Sequence, residues 1–184
     1  MTCRSLPPLS SVSGVIPAVH AVEFYNNEEV LIDHLEQYVS EGRHRGETTI
    51  IVATAAHRRA LSWRFIEGED AFVGLDAAAT LKLFMVEGRP HPALFEEAVG
   101  TPLRKLAAGG VRAYGEMVAL LWAEENGSAV LELEELWNEL QREISFPLLC
   151  AYPMADFERR EGIAKVCDTH SHVGLPPIPL RLSA

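Results

Sequence analysis

The hydrophobic and polar positions of this 184-residue chain follow two alternating patterns, which predict strands separated by helices. Short apolar runs rich in β-branched and aromatic residues are typical of strands that are buried on both faces of a sheet. Longer segments repeat their apolar residues every three to four positions, which is the period of an amphipathic helix. The strands are predicted at residues 20–25, 48–54, 71–75, 111–115 and 146–152.

The predicted helices lie between these strands. The first begins after Asn26, the expected N-cap, and ends at Gly42. Its apolar face consists of Leu31, Leu35, Tyr38 and Val39. The other helices are predicted at residues 54–67, 76–86, 92–108, 117–125, 128–144 and 155–170. Because strands joined by helices form right-handed crossovers, we expect an α/β three-layer sandwich, with a mainly parallel sheet and helices on both faces.

The length fits a single domain with a buried core. We assign the domain to residues 19–172 and expect a flexible N-terminal segment at residues 1–18, where serine and proline are frequent. Residues 173–184 form a proline-rich C-terminal tail, in which proline excludes helix.

Charge narrows the range of partners. The net charge of −10 argues against direct binding to nucleic acid or to an anionic membrane. Residues 124–143 contain seven glutamates, which we interpret as the solvated face of a helix. No apolar run approaches the ~20 residues of a membrane span, and the N-terminus lacks the features of a secretory signal, so we expect a cytoplasmic protein.

The three cysteines predict neither a disulfide framework nor a CxxC metal site, and Cys150 is expected to be a reduced core thiol.

The candidate binding site follows from topology. In open parallel sheets, ligands bind outside the carboxyl ends of the strands. That rule selects Tyr25, Asn26, Thr54, His57, Gly115, Glu116 and Tyr152 as ligand-binding residues. We assign no catalytic residue, because the chain shows neither a G-x-S-x-G motif nor a compelling pair of carboxylates.

The junction between the first strand and the first helix lacks the residues of a phosphate loop. A working loop reads G-x-x-x-x-G-K-[ST], whereas the junction from Tyr25 to Glu29 has neither glycine nor lysine. Two carboxylates, Glu28 and Glu29, open the helix and would repel a triphosphate. We therefore expect a degenerate phosphate loop and no cofactor.

Two histidines at the far ends of the domain are expected to meet. His20 starts the first strand, and His170 ends a helix that runs back to the same edge of the sheet. A hydrogen-bonded structural pair is favoured over a metal site, because the chain has no CxxC or HExxH motif. We assign no metal ligand.

Five motifs together resemble a known family over roughly residues 18–172. They are HAVEFY from His20, GETTIIVATAAH from Gly46, YGEMVALLW from Tyr114, LEELW from Leu133, and LCAYP from Leu149 followed by His170. The family is the MEDS domain, a methanogen/methylotroph DcmR-type sensory domain. The resemblance implies a sensory or regulatory role in prokaryotic signalling and the perception of a small organic compound.

The chain is also distantly similar to RecA-like ATPases of the KaiC type, which keep a catalytic glutamate where Glu116 lies. The missing phosphate loop departs from that pattern. We therefore expect a non-catalytic, RecA-like sensory domain that binds a small organic ligand, a signalling partner or a second copy of itself at the carboxyl edge of the sheet. The alternative is a divergent nucleotide-binding enzyme that uses Glu116, with Arg58, Arg59 and Arg112 supplying positive charge.

Overall fold

The structure is a computed structural model, and it describes residues 18–65, 71–156 and 163–174. A six-stranded parallel sheet forms its centre, and its strands are β1 (His20–Tyr25), β2 (Thr48–Ala53), β3 (Phe72–Asp76), β6 (Val111–Gly115), β7 (Leu148–Pro153) and β8 (His172–Val173). Their order across the sheet is β3-β2-β6-β7-β1-β8. A small antiparallel hairpin consists of β4 (Met85–Val86) and β5 (Arg89–Pro90).

The helices connect the strands. They are α1 (Glu28–Arg45), α2 (Ala55–Ser62), α3 (Ala77–Lys82), α4 (Pro92–Phe95), α5 (Thr101–Ala107), α6 (Met117–Ala123), α7 (Gly127–Ile144) and α8 (Ile163–Thr169). A π-helical turn, Glu96–Gly100, joins α4 to α5, and a 3₁₀ turn, Met154–Asp156, follows β7. Among the described residues, no helix combines the length and the apolar character that crossing a membrane requires.

Two apolar cores lie on opposite faces of the sheet and confirm the three-layer sandwich. On one face, Leu31 and Leu35 of α1 pack with Leu61 of α2 against the sheet. On the other face, the core contains Trp137 of α7 and Met117 of α6. Apolar side chains along a strand therefore alternate between the two cores, as Ile50 and Val52 of β2 belong to one core and Ile51 and Ala53 to the other.

The carboxyl ends of the strands align at one edge of the sheet. In the register, Tyr25 of β1 pairs with Pro153 of β7, and Val52 of β2 pairs with Gly115 of β6. The loops and helix starts that follow these strands consequently lie side by side, as the topological rule requires.

Several local predictions were wrong. The N-cap of α1 is Asn27 rather than Asn26, because Asn27 Oδ1 accepts hydrogen bonds from the backbone N–H groups of Glu29 and Val30. The helix predicted at residues 76–86 ends at Lys82, and the β4–β5 hairpin begins at Met85. Short strand β8 was not predicted, and its second residue, Val173, is the first residue of the predicted tail. The flexible segment predicted at residues 1–18 lies outside the described residues except for residue 18, and so does the tail beyond residue 174.

Candidate functional site

A buried carboxylate, Glu116, organises the carboxyl edge of the sheet. Its side chain follows β6 and is 2% exposed. Glu116 Oε2 accepts a hydrogen bond from the backbone N–H of Thr54 at 2.7 Å. Glu116 Oε1 accepts hydrogen bonds from Tyr114 Oη at 2.6 Å and from His57 Nδ1 at 2.5 Å. The carboxylate therefore binds three groups of its own chain, and it ties the start of α2 to the end of β6.

His57 lies between this buried carboxylate and the surface. Its ring meets that of Tyr25 edge-on, with the ring centroids 6.2 Å apart. Its Nε2 lies 3.9 Å from Oε2 of Glu28, at the start of α1. The hydrogen bond to Glu116 raises the pKa of His57 above its ordinary value, against the opposing effect of burial. His57 thus connects β1, α1 and α2 through a group that can change its charge near neutral pH.

The raised pKa of His57 makes stability depend on pH. A group whose pKa is raised by folding contributes fully below its unfolded pKa, about 6.5, and this contribution disappears as pH rises through the folded pKa. We expect the free energy of unfolding to fall as pH rises above about 6.5 and through the raised pKa of His57. His57→Gln should flatten this part of the profile in urea titrations, whereas His44→Gln, which changes an exposed helix histidine, should keep it. If the free energy of unfolding depends on pH equally in both variants, its pH dependence does not come from His57.

An open cleft lies beside His57. It has a volume of about 450 Å³ and is lined by residues of α1, α2 and the turn that follows α2. These residues are Glu28, Glu29, Ile32, Asp33, Ala56, His57, Ala60 and Arg64. Arg64 pairs with Asp33 at 3.3 Å and also with Glu36, so carboxylates already engage the cation of the cleft. Glu28 and Glu29 leave the rim acidic.

The structure brings together only part of the predicted site. Tyr25, Thr54, His57 and Glu116 form one group, in which Thr54 caps α2. Gly115 ends β6 beside them. Asn26 lies exposed in the loop before α1. Tyr152 is buried on the opposite face of the sheet, where its hydroxyl donates to Glu134 Oε1 at 2.6 Å.

A second polar cluster surrounds Glu134. The expected meeting of His20 and His170 is present, with ring centroids 4.1 Å apart. His20 Nε2 lies 3.3 Å from Glu134 Oε2 and 3.3 Å from the sulfur of Cys150. His170 Nε2 lies 3.4 Å from Glu134 Oε1. Burial lowers the pKa of His170, which favours its neutral form.

Both clusters contain residues that the sequence patterns did not indicate as members. Glu134 was included in a solvated acidic face, yet it is completely buried. A signal existed, because Glu134 is four residues after Val130 and three before Trp137, so it falls on the apolar stripe of α7. Tyr114, which donates to Glu116, was not predicted, and neither was the contact of buried Glu23 with partly exposed His34. Cys150 is a free buried thiol as expected, but Cys167 is disulfide-bonded, contrary to the prediction.

A comparison with protein families decides what kind of domain this is. The model described as "MEDS: MEthanogen/methylotroph, DcmR Sensory domain" matches residues 19–171. The chain belongs to the MEDS family. Neither the curated proteins nor the solved structures contain a match. The MEDS match confirms the resemblance and includes both polar clusters, so they are parts of a domain whose family is sensory.

Proposed function

We propose that this MEDS domain is a non-catalytic, cytoplasmic sensor of prokaryotic signalling that binds a small organic molecule in the cleft beside His57. The family supports the sensory role. The cleft supports the ligand site, because it opens between α1 and α2 directly above a histidine that is anchored to a buried carboxylate. The position of the cleft next to the hydrogen-bonded pair of His57 and Glu116 is the observation on which the proposal depends.

The lining of the cleft restricts the ligand. Ile32, Ala56 and Ala60 offer an apolar surface for a short carbon chain. Glu28 and Glu29 would repel an anion, while His57 can form a hydrogen bond with a polar group of the ligand. A neutral or cationic compound, such as a short alcohol or amine, therefore fits better than a carboxylate or a phosphate.

Ligand binding can produce a signal through the helices that form the cleft. A ligand shifts a conformational equilibrium only if it binds one state more tightly than the other. The cleft is bounded by α1 and α2, and the start of α2 is hydrogen-bonded to Glu116. A change in the spacing of the two helices would thus reach β6 and α6, from which a partner protein or a second copy of the domain can detect it.

The nucleotide-binding alternative requires Glu116 to activate water or hold a ligand. Both of its oxygens already accept hydrogen bonds from the chain. Arg112 would have to supply charge to a phosphate, but it pairs with Glu47 at the opposite edge of the sheet, where β6 begins. Arg58 pairs with Asp76 at 2.8 Å. These contacts favour the sensory function over the nucleotide-binding alternative.

Matched probes test the proposal by thermal shift and calorimetry. A short alkanol and alkylamine should stabilise the protein, whereas the alkanoate of equal length and ATP with Mg²⁺ should not. A ligand of four heavy atoms gains at most about 6 kcal/mol, so its Kd should be no tighter than about 40 µM.

The control variants make this result specific to the cleft. His57→Gln should weaken binding by about threefold to tenfold, the value of one hydrogen bond. His44→Gln should bind like the wild type. Binding of ATP that depends on Glu116 would establish the enzyme instead, and a flat response to every probe would exclude the ligand site proposed here.

A further inference from the structure

The cluster on the far face of the sheet contains four side chains that are typical metal ligands. His20, Glu134, Cys150 and His170 come from β1, α7, β7 and the segment after α8. One ligand atom from each lies within 4.8 Å of the other three. Three of the four residues are buried, and the side chain of His170 is also inaccessible. Such a cluster is costly to bury unless each lone pair receives a hydrogen or a cation.

The spacing of these atoms fits a tetrahedral ion. Zinc bonds of about 2.0–2.3 Å place neighbouring ligand atoms about 3.3–3.7 Å apart. His20 Nε2 lies 3.3 Å from Glu134 Oε2 and 3.3 Å from Cys150 Sγ. Cys150 Sγ lies 3.6 Å from Glu134 Oε2, and His170 Nε2 lies 3.4 Å from Glu134 Oε1. The separations among His20 Nε2, Cys150 Sγ and Glu134 Oε2 therefore already have the length of the edges of one tetrahedral face, and His170 approaches the other oxygen of the same carboxylate.

The second nitrogen of each histidine is oriented as in known metal centres. Asn138 Nδ2 donates to the carbonyl oxygen of Thr169, so its Oδ1 faces His20 and accepts from Nδ1 at 2.8 Å. His170 Nδ1 donates to the carbonyl oxygen of Val166 at 2.6 Å. In a neutral imidazole with its hydrogen on Nδ1, Nε2 carries the lone pair. Both lone pairs thus face the carboxylate, in the arrangement that outer partners impose on metal-bound histidines.

One of these lone pairs has no hydrogen to accept. His170 Nε2 is buried and forms no hydrogen bond. The carboxylate beside it is an acceptor, and the single thiol hydrogen of Cys150 is within reach of His20 and Glu134. A cation at the centre of the cluster would satisfy both imidazoles, the carboxylate and the sulfur together.

We propose that His20, Glu134, Cys150 and His170 bind a divalent ion of the zinc class. A set of two nitrogens, one sulfur and one carboxylate oxygen suits zinc and does not suit magnesium or calcium. Four protein ligands in a buried site leave no open position, which is the property of a structural centre. The ion would fasten the segment after α8 to β1, β7 and α7. This proposal is independent of the ligand cleft on the other face.

Metal analysis of the whole chain is the first test. The protein is stripped with a chelator, dialysed against excess zinc, separated from free ion and analysed by mass spectrometry. We expect about one zinc ion per chain. Cobalt loaded in place of zinc should give the visible absorption of a tetrahedral ion together with a thiolate charge-transfer band. A folded wild-type protein that holds no stoichiometric zinc and gives no thiolate band would overturn the proposal.

Variants locate the site. Cys150→Ser should abolish the charge-transfer band. Asn138→Ala, which removes the outer partner of His20 and the hydrogen bond to the carbonyl oxygen of Thr169, should weaken zinc affinity by about 10- to 100-fold. His91→Gln, which changes an exposed histidine elsewhere, should leave both properties unchanged. Circular dichroism establishes that each variant is folded. Full zinc affinity in folded Asn138→Ala together with an unchanged cobalt spectrum in folded Cys150→Ser would assign the ion to other residues and overturn the proposal.

Discussion

Glu116→Ala should lower the free energy of unfolding by about 3–5 kcal/mol, the usual effect of breaking a buried charged pair. The substitution removes the acceptor of three donors at once, namely the backbone N–H of Thr54, the hydroxyl of Tyr114 and Nδ1 of His57. Tyr114 is completely buried and His57 is 5% exposed, so water cannot easily replace the lost oxygens. Urea titrations of the variant and the wild type at about pH 6, where His57 carries charge, measure the difference.

A matched control for this variant is Glu28→Gln. Glu28 also lies near His57, at 3.9 Å, but its side chain is 74% exposed. Its substitution should change stability by less than about 0.5 kcal/mol, as surface substitutions generally do. If Glu116→Ala also lowers the free energy of unfolding by less than about 1 kcal/mol, water must replace Glu116 as the acceptor of the three donors. The hydrogen bonds of Glu116 would then not couple α2 to β6, as the proposed signalling mechanism requires.

The expected loss at Glu116 bears on function as well as on stability. A carboxylate whose oxygens accept three short hydrogen bonds is a fixed element of the scaffold. In the mechanism we propose, it would transmit the position of α2 to β6. His57, one hydrogen bond nearer to the surface, is the member of the network that a ligand in the cleft can reach.

The layers of the fold could be predicted from the sequence because burial enforces strict patterns. The stripe Leu31, Leu35, Tyr38 and Val39 could face only one apolar surface, and all four residues are buried there. The β-branched run of β2 required cover on both faces, and residues 49–53 are buried. Sequence alone could not predict β8, since a two-residue strand leaves no periodicity.

Predictions of local geometry failed where neighbouring residues offer equivalent chemistry. Asn26 and Asn27 can both cap a helix, and only the backbone conformation decides that Asn27 does so, with φ −132° and ψ 119°. The hairpin after α3 depends on Glu87 and Gly88, which adopt positive φ values of 50° and 78°. A positive φ at glutamate has no reliable sequence signal.

The candidate sites were predicted only as far as topology determines them. Strand ends fixed the neighbourhood of Tyr25, His57 and Glu116, but the rule does not say toward which face a side chain points. Tyr152 therefore belongs to the Glu134 cluster, although its strand ends at the predicted edge. The prediction from charge was wrong for Glu134, which is buried. A glutamate within an acidic stretch resembles its exposed neighbours unless its position on the helix is considered.

The ion pair between buried Arg112 and partly buried Glu47, at the amino edge of the sheet, gives the second large expected effect. Arg112 is 2% exposed, its guanidinium lies 2.6 Å from Oε2 of Glu47, and Nη1 donates to the carbonyl oxygen of Tyr38. Glu47→Ala leaves this cation buried without an anion, so we expect a loss of about 3–5 kcal/mol in the free energy of unfolding.

An exposed pair provides the control for that prediction. Arg142 and Glu135 lie 2.5 Å apart, a separation like that of the buried pair, but their side chains are 65% and 58% exposed. Glu135→Ala should therefore cost less than about 1 kcal/mol in the same urea titration, because water screens and replaces the lost contact. Equal losses at Glu47 and Glu135 would show that Arg112 becomes hydrated when its partner is removed. Arg112 would then be a hydrated cation that Glu47 does not hold, and the nucleotide-binding alternative would regain a positive charge for a phosphate.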